Sequence, residues 1–186
     1  MAEIAGDLWV FAYGSLIWHP GFDYEEKRLA ALGGYRRSFC MTSVHYRGTP
    51  ERPGLVLALD AEAGACCEGV AYRVDAARAA EVLAYLRERE LVSYAYLEAF
   101  LTVSLAEGGA VEAVTYVTNR DHSQYRGDLD LPAQAEIIAH AVGPRGPNAE
   151  YLFNTLSGLD ALGIEDRELT DLAGLVRARR QDGPRP

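Results

Sequence analysis

Two stretches of this 186-residue sequence carry side chains whose type and spacing suit chemistry. The first centres on Glu90. From Ala76 onward, Ala79, Val82, Leu83 and Leu86 recur at helical spacing and make one apolar stripe. At about 100° per residue Glu90 falls near the centre of that stripe, while Glu81 and Glu88 fall on the opposite side. A carboxylate at the end of an apolar face has two readings. Either the helix stops at Arg87 and Glu90 is a loop residue, or Glu90 sits in a partly dry pocket. In the pocket, desolvation raises its pKa and makes it a better base. Tyr94 and Tyr96 follow closely and can wall such a pocket, although packing is the commoner use of tyrosine there.

The second stretch is Leu8-Trp9-Val10-Phe11-Ala12-Tyr13-Gly14-Ser15-Leu16. Its large and apolar first half has no polar alternation and is bounded by Gly14, which predicts a strand buried on both faces. Gly14-Ser15 then turns the chain. With no Cβ at Gly14 a ligand can approach the backbone, and the amides of Ser15 and Leu16 can point at a carboxylate or a developing oxyanion. A plain strand end is the alternative. Ser15 also invites a serine-hydrolase reading with His45 and an aspartate, but Gly14-Ser15-Leu16-Ile17 lacks the second glycine of a nucleophile elbow. Arg36, Arg37 and Arg47 read as solvated charges. Arg47 has a second reading, since in its Gly/Pro-rich loop it can clamp a carboxylate bidentately.

The elements that must position these groups read as a mixture. Strands are expected at 35–42, 55–59, 67–74, 99–105 and 111–118 besides the first, with a hairpin turn at Ala106-Glu107-Gly108-Gly109. Residues 43–54 form a long loop. A helix from Ala76 to about Glu90 starts at Asp75 as N-cap, and three more are expected near 133–142, 149–157 and 166–180. Asn148 reads as the N-cap of the third of these four helices, with Glu150 in its first turn favoured by the helix dipole. Six strands with few helices between them predict an α+β fold with a closed or nearly closed sheet.

Bulk properties narrow the function classes. The length suits one domain, 1–186, with fraying expected at 182–186; 49% apolar and 24% charged residues are ordinary for a globular protein. A net charge of −9 argues against nucleic acid as a partner. No apolar run approaches the roughly 18 residues of a membrane span, and the acidic N-terminus lacks the basic and apolar regions of a signal peptide. Cys40, Cys66 and Cys67 make no even disulfide framework, and the histidines show no metal-ligand spacing. These features predict a cytoplasmic protein without a metal.

Taken together, these residues resemble the ChaC-type, glutathione-specific γ-glutamylcyclotransferases. The resemblance rests on Val10-Phe11-Ala12-Tyr13-Gly14-Ser15-Leu16-Ile17-Trp18, Tyr35-Arg36-Arg37-Ser38-Phe39-Cys40, Arg47-Gly48-Thr49, Gly69-Val70-Ala71-Tyr72-Arg73, Arg89-Glu90, Tyr125 and Gly143-Pro144 through Asn148-Ala149-Glu150-Tyr151-Leu152-Phe153. It runs over nearly the whole chain. It implies a small closed mixed β-barrel flanked by α-helices, no cofactor or metal, and conversion of glutathione to 5-oxoproline and cysteinylglycine. Glu90 takes the place of the family's catalytic glutamate, and Tyr13, Gly14, Ser15 and Leu16 that of its substrate-holding loop. Arg47, Tyr94 and Tyr125 complete the expected substrate contacts. The family's usual Pro-Gly-Arg appears here as Pro53-Gly54-Leu55, which leaves cyclotransfer of other γ-glutamyl amino acids or amines as an alternative. A non-catalytic γ-glutamyl-binding or regulatory protein is the other.

Overall fold

The computed structural model describes residues 6–181, so the fraying expected at 182–186 lies outside the described residues. Five strands close into a barrel in the order β1 (Leu8–Ala12), β3 (Gly54–Val74), β2 (Glu26–Ser43), β4 (Tyr96–Leu105) and β5 (Ala110–Thr118). β1 runs antiparallel to β3 and parallel to β5, and β4 runs antiparallel to β5, so the barrel is mixed. Closure removes the open edges of the barrel sheet itself.

Six expected strands become five because 55–59 and 67–74 belong to one strand. The residues between them, Asp60 to Cys66, continue β3 instead of breaking it. β2 likewise begins nine residues before the expected Tyr35, at Glu26. Both long strands carry a glycine in the left-handed region, Gly34 at φ 81° and Gly64 at φ 82°. A residue with a Cβ is strained there, and such a glycine bends a strand without ending it. These glycines resemble turn signals in sequence, which is why the strands read as shorter pieces.

The chain divides into two compact units. One comprises the described residues up to 38 with Ala58–Ser123, the other Phe39–Leu57 with the described residues from 124 on. In the first, β1 is buried apart from the half-buried Trp9: Val10, Phe11 and Ala12 are 0–1% exposed. α1 (Ala76–Glu90) has the expected bounds, and the Asp75 carboxylate accepts from the Ala77 amide at 2.8 Å, the expected N-cap. Ala79, Val82, Leu83 and Leu86 are buried, whereas Glu81 and Glu88 are exposed. The stripe read from the sequence is the packed face of this helix.

The second unit contains α2 (Leu131–His140), the short pair β6 (Val142–Gly143) and β7 (Gly146–Pro147), α3 (Asn148–Ala161) and α4 (Arg167–Gln181). Ile138, Leu152, Leu159, Leu169, Leu172 and Val176 make an apolar core for the three helices. Here one expectation fails. Asn148 does not cap α3; Pro147 occupies the N-cap position without a side-chain bond. The Asn148 side chain is fully buried and serves Leu55 instead, accepting from its amide and donating to its carbonyl, both at 2.7 Å. One amide side chain thus satisfies both backbone groups where β3 begins, as a neighbouring strand would. Glu150 does lie in the first turn of α3, as expected.

This correction separates two roles by mutation. Aspartate caps helices as well as asparagine but has no N–H to donate. Asn148→Asp and Asn148→Ala should each destabilise the protein by roughly 2–4 kcal/mol, because buried backbone groups lose their partners. Denaturant midpoints for both variants check this; an Asn148→Asp variant of wild-type stability would restore the cap role.

Candidate active site

β1 ends at Ala12 and the chain turns at Gly14 into one turn of 3₁₀ helix, Ser15–Ile17. The Ile17 amide donates to the Gly14 carbonyl at 2.9 Å. The Ser15 and Leu16 amides precede that bond, so the turn itself has no acceptor for them. The surrounding groups hold the turn from both ends. Arg37, 6% exposed, donates from Nε to the Tyr13 carbonyl at 2.5 Å and from Nη2 to the Glu68 carbonyl. The Tyr72 hydroxyl lies 3.1 Å from the Leu16 carbonyl and 3.2 Å from that of Ile17, sharing one proton between them. Burial, aided by the nearby Tyr24, pushes the Tyr72 phenol up to about 12, so it remains a neutral donor around neutral pH. Tyr13 itself donates from its hydroxyl to the Tyr116 carbonyl at 3.0 Å and is 8% exposed.

Glu90 closes α1 at the end of its buried stripe, with 19% of its side chain exposed. Desolvation raises its pKa above the ordinary carboxylate value, and the charge and hydrogen bond of Arg89 oppose that rise. Tyr116 of β5 faces the same charge. Burial first, then the carboxylates of Glu98 and Glu90, push its phenol far up, so it too stays protonated. Glu98 accepts from Tyr116 at 3.4 Å and from both Nε and Nη2 of Arg87 at 2.7 Å, a bidentate link from the last turn of α1 to β4.

Arg89 joins the two stretches that the sequence singled out. Its Nε lies 3.1 Å from Glu90 Oε1, and its Nη2 donates to Ser15 Oγ at 3.0 Å. Its Nη1 reaches the carbonyls of His19 and Pro20 and the Tyr85 hydroxyl, at 2.9, 3.2 and 3.0 Å. The serine-hydrolase reading loses its chemistry here. A nucleophilic serine needs a proton acceptor at its hydroxyl, and a guanidinium is a donor at every position.

Tyr13, Gly14, Ser15, Leu16, Glu90 and Tyr94 all belong to the first unit. Tyr94 is 73% exposed and adopts φ 55°, so it stands out from the protein in place of walling a closed pocket. A cleft of about 460 Å³ in the same unit is lined by Phe22, Asp23, Arg78, Val82 and Tyr85 among others, without Glu90 or Ser15. Arg47 and Tyr125 belong to the second unit. Arg47 is 8% exposed; its Nη1 donates to the Pro147 carbonyl at 3.2 Å and to Glu150 Oε2 at 3.4 Å, and its guanidinium lies 5.7 Å from the Tyr151 ring centre. Tyr125 forms an isolated bridge to Met41, next to β-like bonds from Thr42 to Gln124 and from Arg126 to Cys40. Arg37 and Arg47 are therefore buried rather than solvated. Arg36, by contrast, is partly exposed and pairs with Glu62 at 2.8 Å. The sequence reading missed Arg37, Tyr72, Tyr116 and the bridging role of Arg89. Arg89 left a signal by adjacency to Glu90, and Arg37 and Tyr72 lay within the stretches that carry the family resemblance, without a sign of what they bond. Among the described residues no group of three or more His, Cys, Asp or Glu side chains is placed to hold a metal ion.

Known proteins share the fold and much of the sequence of this chain. Two crystal structures of a glutathione-specific γ-glutamylcyclotransferase from yeast share the fold, with TM-scores of 0.88 and 0.84 at 24% and 26% identity; each is covered in full, over 97% and 95% of this chain. The glutathione-specific γ-glutamylcyclotransferase of Escherichia coli K12 is 36% identical over 172 residues, covering 92% of this chain and 74% of the relative. γ-Glutamylcyclotransferase 2-3 of Arabidopsis thaliana is 38% identical over 176 residues, 91% of this chain and 88% of the relative. The chain belongs to the ChaC-like protein family, whose profile matches residues 8–179.

A raised carboxyl pKa has a cost in stability. The unfolded chain ionises Glu90 near the ordinary value, 4.5, and the folded chain ionises it only at higher pH. Stability contributed by this group is therefore present below about 4.5 and declines as pH rises toward the folded-state value. Glu90→Gln, which keeps the shape and carries no charge, should melt above wild type at pH 7, with the gap closing as the pH falls toward 4. A thermal melt series at several pH values checks this.

Proposed function

We propose that this chain is a γ-glutamylcyclotransferase that converts glutathione to 5-oxoproline and cysteinylglycine, with Glu90 as general acid and base. The observation that carries the reading is Glu90 itself, a desolvated carboxylate linked through one guanidinium to the Gly14-Ser15 turn. The substrate brings its own nucleophile. Its glutamyl α-amine is mostly protonated at neutral pH, so a base must take that proton, and a carboxylate whose pKa is raised is better matched to the task. The freed amine attacks the γ-carbonyl carbon and closes a five-membered ring. Charge moves onto the carbonyl oxygen, for which the Ser15 and Leu16 amides are fixed donors. Protonated Glu90 then gives its proton to the cysteine nitrogen as the C–N bond breaks, and the ring nitrogen gives up its second proton to the regenerated carboxylate or to water, leaving the neutral lactam. Tyr116, a neutral phenol beside Glu90, leaves the carboxylate as the proton carrier.

We assign Tyr13, Gly14, Ser15 and Leu16 to the glutamyl end of the substrate. What Tyr13 offers is its ring and position, since its hydroxyl proton and its carbonyl are engaged within the barrel. Tyr94, exposed just beyond Glu90, is assigned to the incoming substrate. Arg47, a nearly buried cation suited to a carboxylate, and Tyr125 are assigned to the substrate as well. Three free thiols among the described residues, and no helix there long and apolar enough to cross a membrane, accord with a cytoplasmic enzyme.

A second reading has an observation of its own. Leu55 replaces the arginine of the family's Pro-Gly-Arg and is 1% exposed, so no cation stands at that position. Other γ-glutamyl amino acids or amines then become candidate substrates.

Purified protein incubated with glutathione should yield 5-oxoproline and cysteinylglycine in equal amounts by mass spectrometry, and Glu90→Gln should lose at least nine-tenths of kcat. Glutathione acetylated on the glutamyl amine should not be turned over, because its nucleophile is blocked. Cleavage of the acetylated compound near the rate of glutathione would overturn the cyclotransferase mechanism. A panel of γ-glutamyl substrates decides between the two substrate readings, and binding without turnover of any of them would indicate a binding protein.

A further inference from the structure

One side chain at this site has more bonds than its place in the chain requires. Arg89 is 16% exposed in its side chain, and all of its guanidinium nitrogens face partners. The Nε/Nη2 edge faces Glu90 Oε1 and Ser15 Oγ, while Nη1 divides two protons among the His19 and Pro20 carbonyls and the Tyr85 hydroxyl. A link from α1 to β4 already exists in the bidentate Arg87–Glu98 pair, so the fold at this corner does not depend on Arg89 alone. Arg89, together with the Tyr85 hydroxyl that donates to the Pro20 carbonyl at 3.5 Å, ties the chain just after the 3₁₀ turn to α1, and Arg89 also reaches the serine that begins that turn from beside the carboxylate.

We propose that Arg89 is a positioning residue that sets the register between the Gly14–Leu16 amides and the Glu90 carboxylate and turns the Ser15 hydroxyl into a donor. This rests on the reading of Glu90 as the base. The geometry supplies the reason for each half. Bond making and proton transfer happen at two points of one substrate, the γ-carbonyl and the α-amine. Donors on a loop and a base on a helix serve both points only if their separation is fixed. A planar guanidinium with five N–H groups fixes it, because one rigid fork touches both elements. The second half follows from hydrogen-bond chemistry. Arg89 can only donate, so at Ser15 it occupies a lone pair of Oγ and leaves the O–H proton to be given to an acceptor, such as the substrate's carboxylate or carbonyl. Ser15 thus acts as a third donor beside the Ser15 and Leu16 amides.

The charge of Arg89 also acts on Glu90, holding its pKa below what desolvation alone would produce. The other titratable group facing Glu90 is Tyr116 from β5, backed by Glu98 on β4, which Arg87 holds. None of these neighbours supplies a second positive charge directly to Glu90. Loss of the Arg89 charge should therefore raise the Glu90 pKa further and move the acid limb of the kcat/KM profile to higher pH.

Arg89→Gln and Arg89→Lys separate position from charge. Arg89→Gln should lose roughly tenfold to a hundredfold in kcat, the scale of a misplaced reactive group, and its acid limb should move up in pH. Arg89→Lys keeps the charge but not the fork, so kcat should fall while the limb stays close to wild type. Melting temperatures identify folded variants. Should Arg89→Gln not fold, Arg89→Lys is combined with Ser15→Ala. Both single changes break the same Nη2–Oγ bond, so the double variant should lose less than the product of the two single losses. Wild-type kcat and an unmoved limb in a folded Arg89→Gln, or strictly multiplicative losses in the double variant, would overturn the assignment. Glu90→Gln in the same assay keeps the two claims apart. An inactive Glu90→Gln beside a fully active Arg89→Gln removes the role of Arg89 alone, and an active Glu90→Gln removes the base.

Discussion

The site depends on one opposition, between burial that drives Glu90 toward its neutral form and a guanidinium that draws it toward its charged form. Burial alone would hold the carboxyl further toward its neutral form. Full pairing with Arg89 in water would give an ordinary carboxylate and a poor base for an ammonium. The helix places Glu90 between these limits because its apolar face continues to the last turn, where Arg89 stands beside it. The rest of the first unit follows from holding that pair still. Arg87 pins the end of α1 to β4 through Glu98, Tyr72 and Arg37 hold the turn after β1 by its carbonyls, and Tyr13 ties β1 to β5.

Buried donors in this unit are mostly spent on carbonyls, which leaves amides as the groups the turn presents. Arg37 takes the Tyr13 carbonyl, Tyr72 those of Leu16 and Ile17, and Arg89 those of His19 and Pro20. With the oxygens occupied, the N–H groups of Ser15 and Leu16 are the polar atoms of the turn suited to a negative charge. The same arrangement sets Ser15 beside a donor instead of a base.

How much of this was legible in the sequence follows from what sets each feature. Periodicity exposed α1 and the unusual place of Glu90, because a 3.6-residue repeat is a local property of the chain. The first strand was legible for the same reason, through its unbroken apolar run. A closed or nearly closed sheet was legible from the number of strands and the few helices between them, but its mixed strand order entered through the family resemblance, since that order is a property of distant pairings that no local pattern encodes. Arg37 looked like a solvated charge because its partners, the carbonyls of Tyr13 and Glu68, lie 24 and 31 residues away. Asn148 looked like a cap because Leu55, its actual partner, is 93 residues away. β2 and β3 were read in pieces because Gly34 and Gly64 mark bends rather than ends. For Arg37 and Asn148 the local pattern misled because the partner that decides the role is remote in sequence.

The central claim is that Glu90 ionises late, and it can be observed without turnover. Protein labelled with ¹³C at glutamate Cδ, with Glu90→Gln to assign the missing signal, lets the Glu90 carboxyl be titrated directly by NMR. The account predicts a midpoint clearly above the ordinary glutamate value of 4.5. A Glu90 midpoint at or below 4.5 would contradict it, because a carboxylate that Arg89 holds in its charged form has no basicity to spare for the substrate's amine.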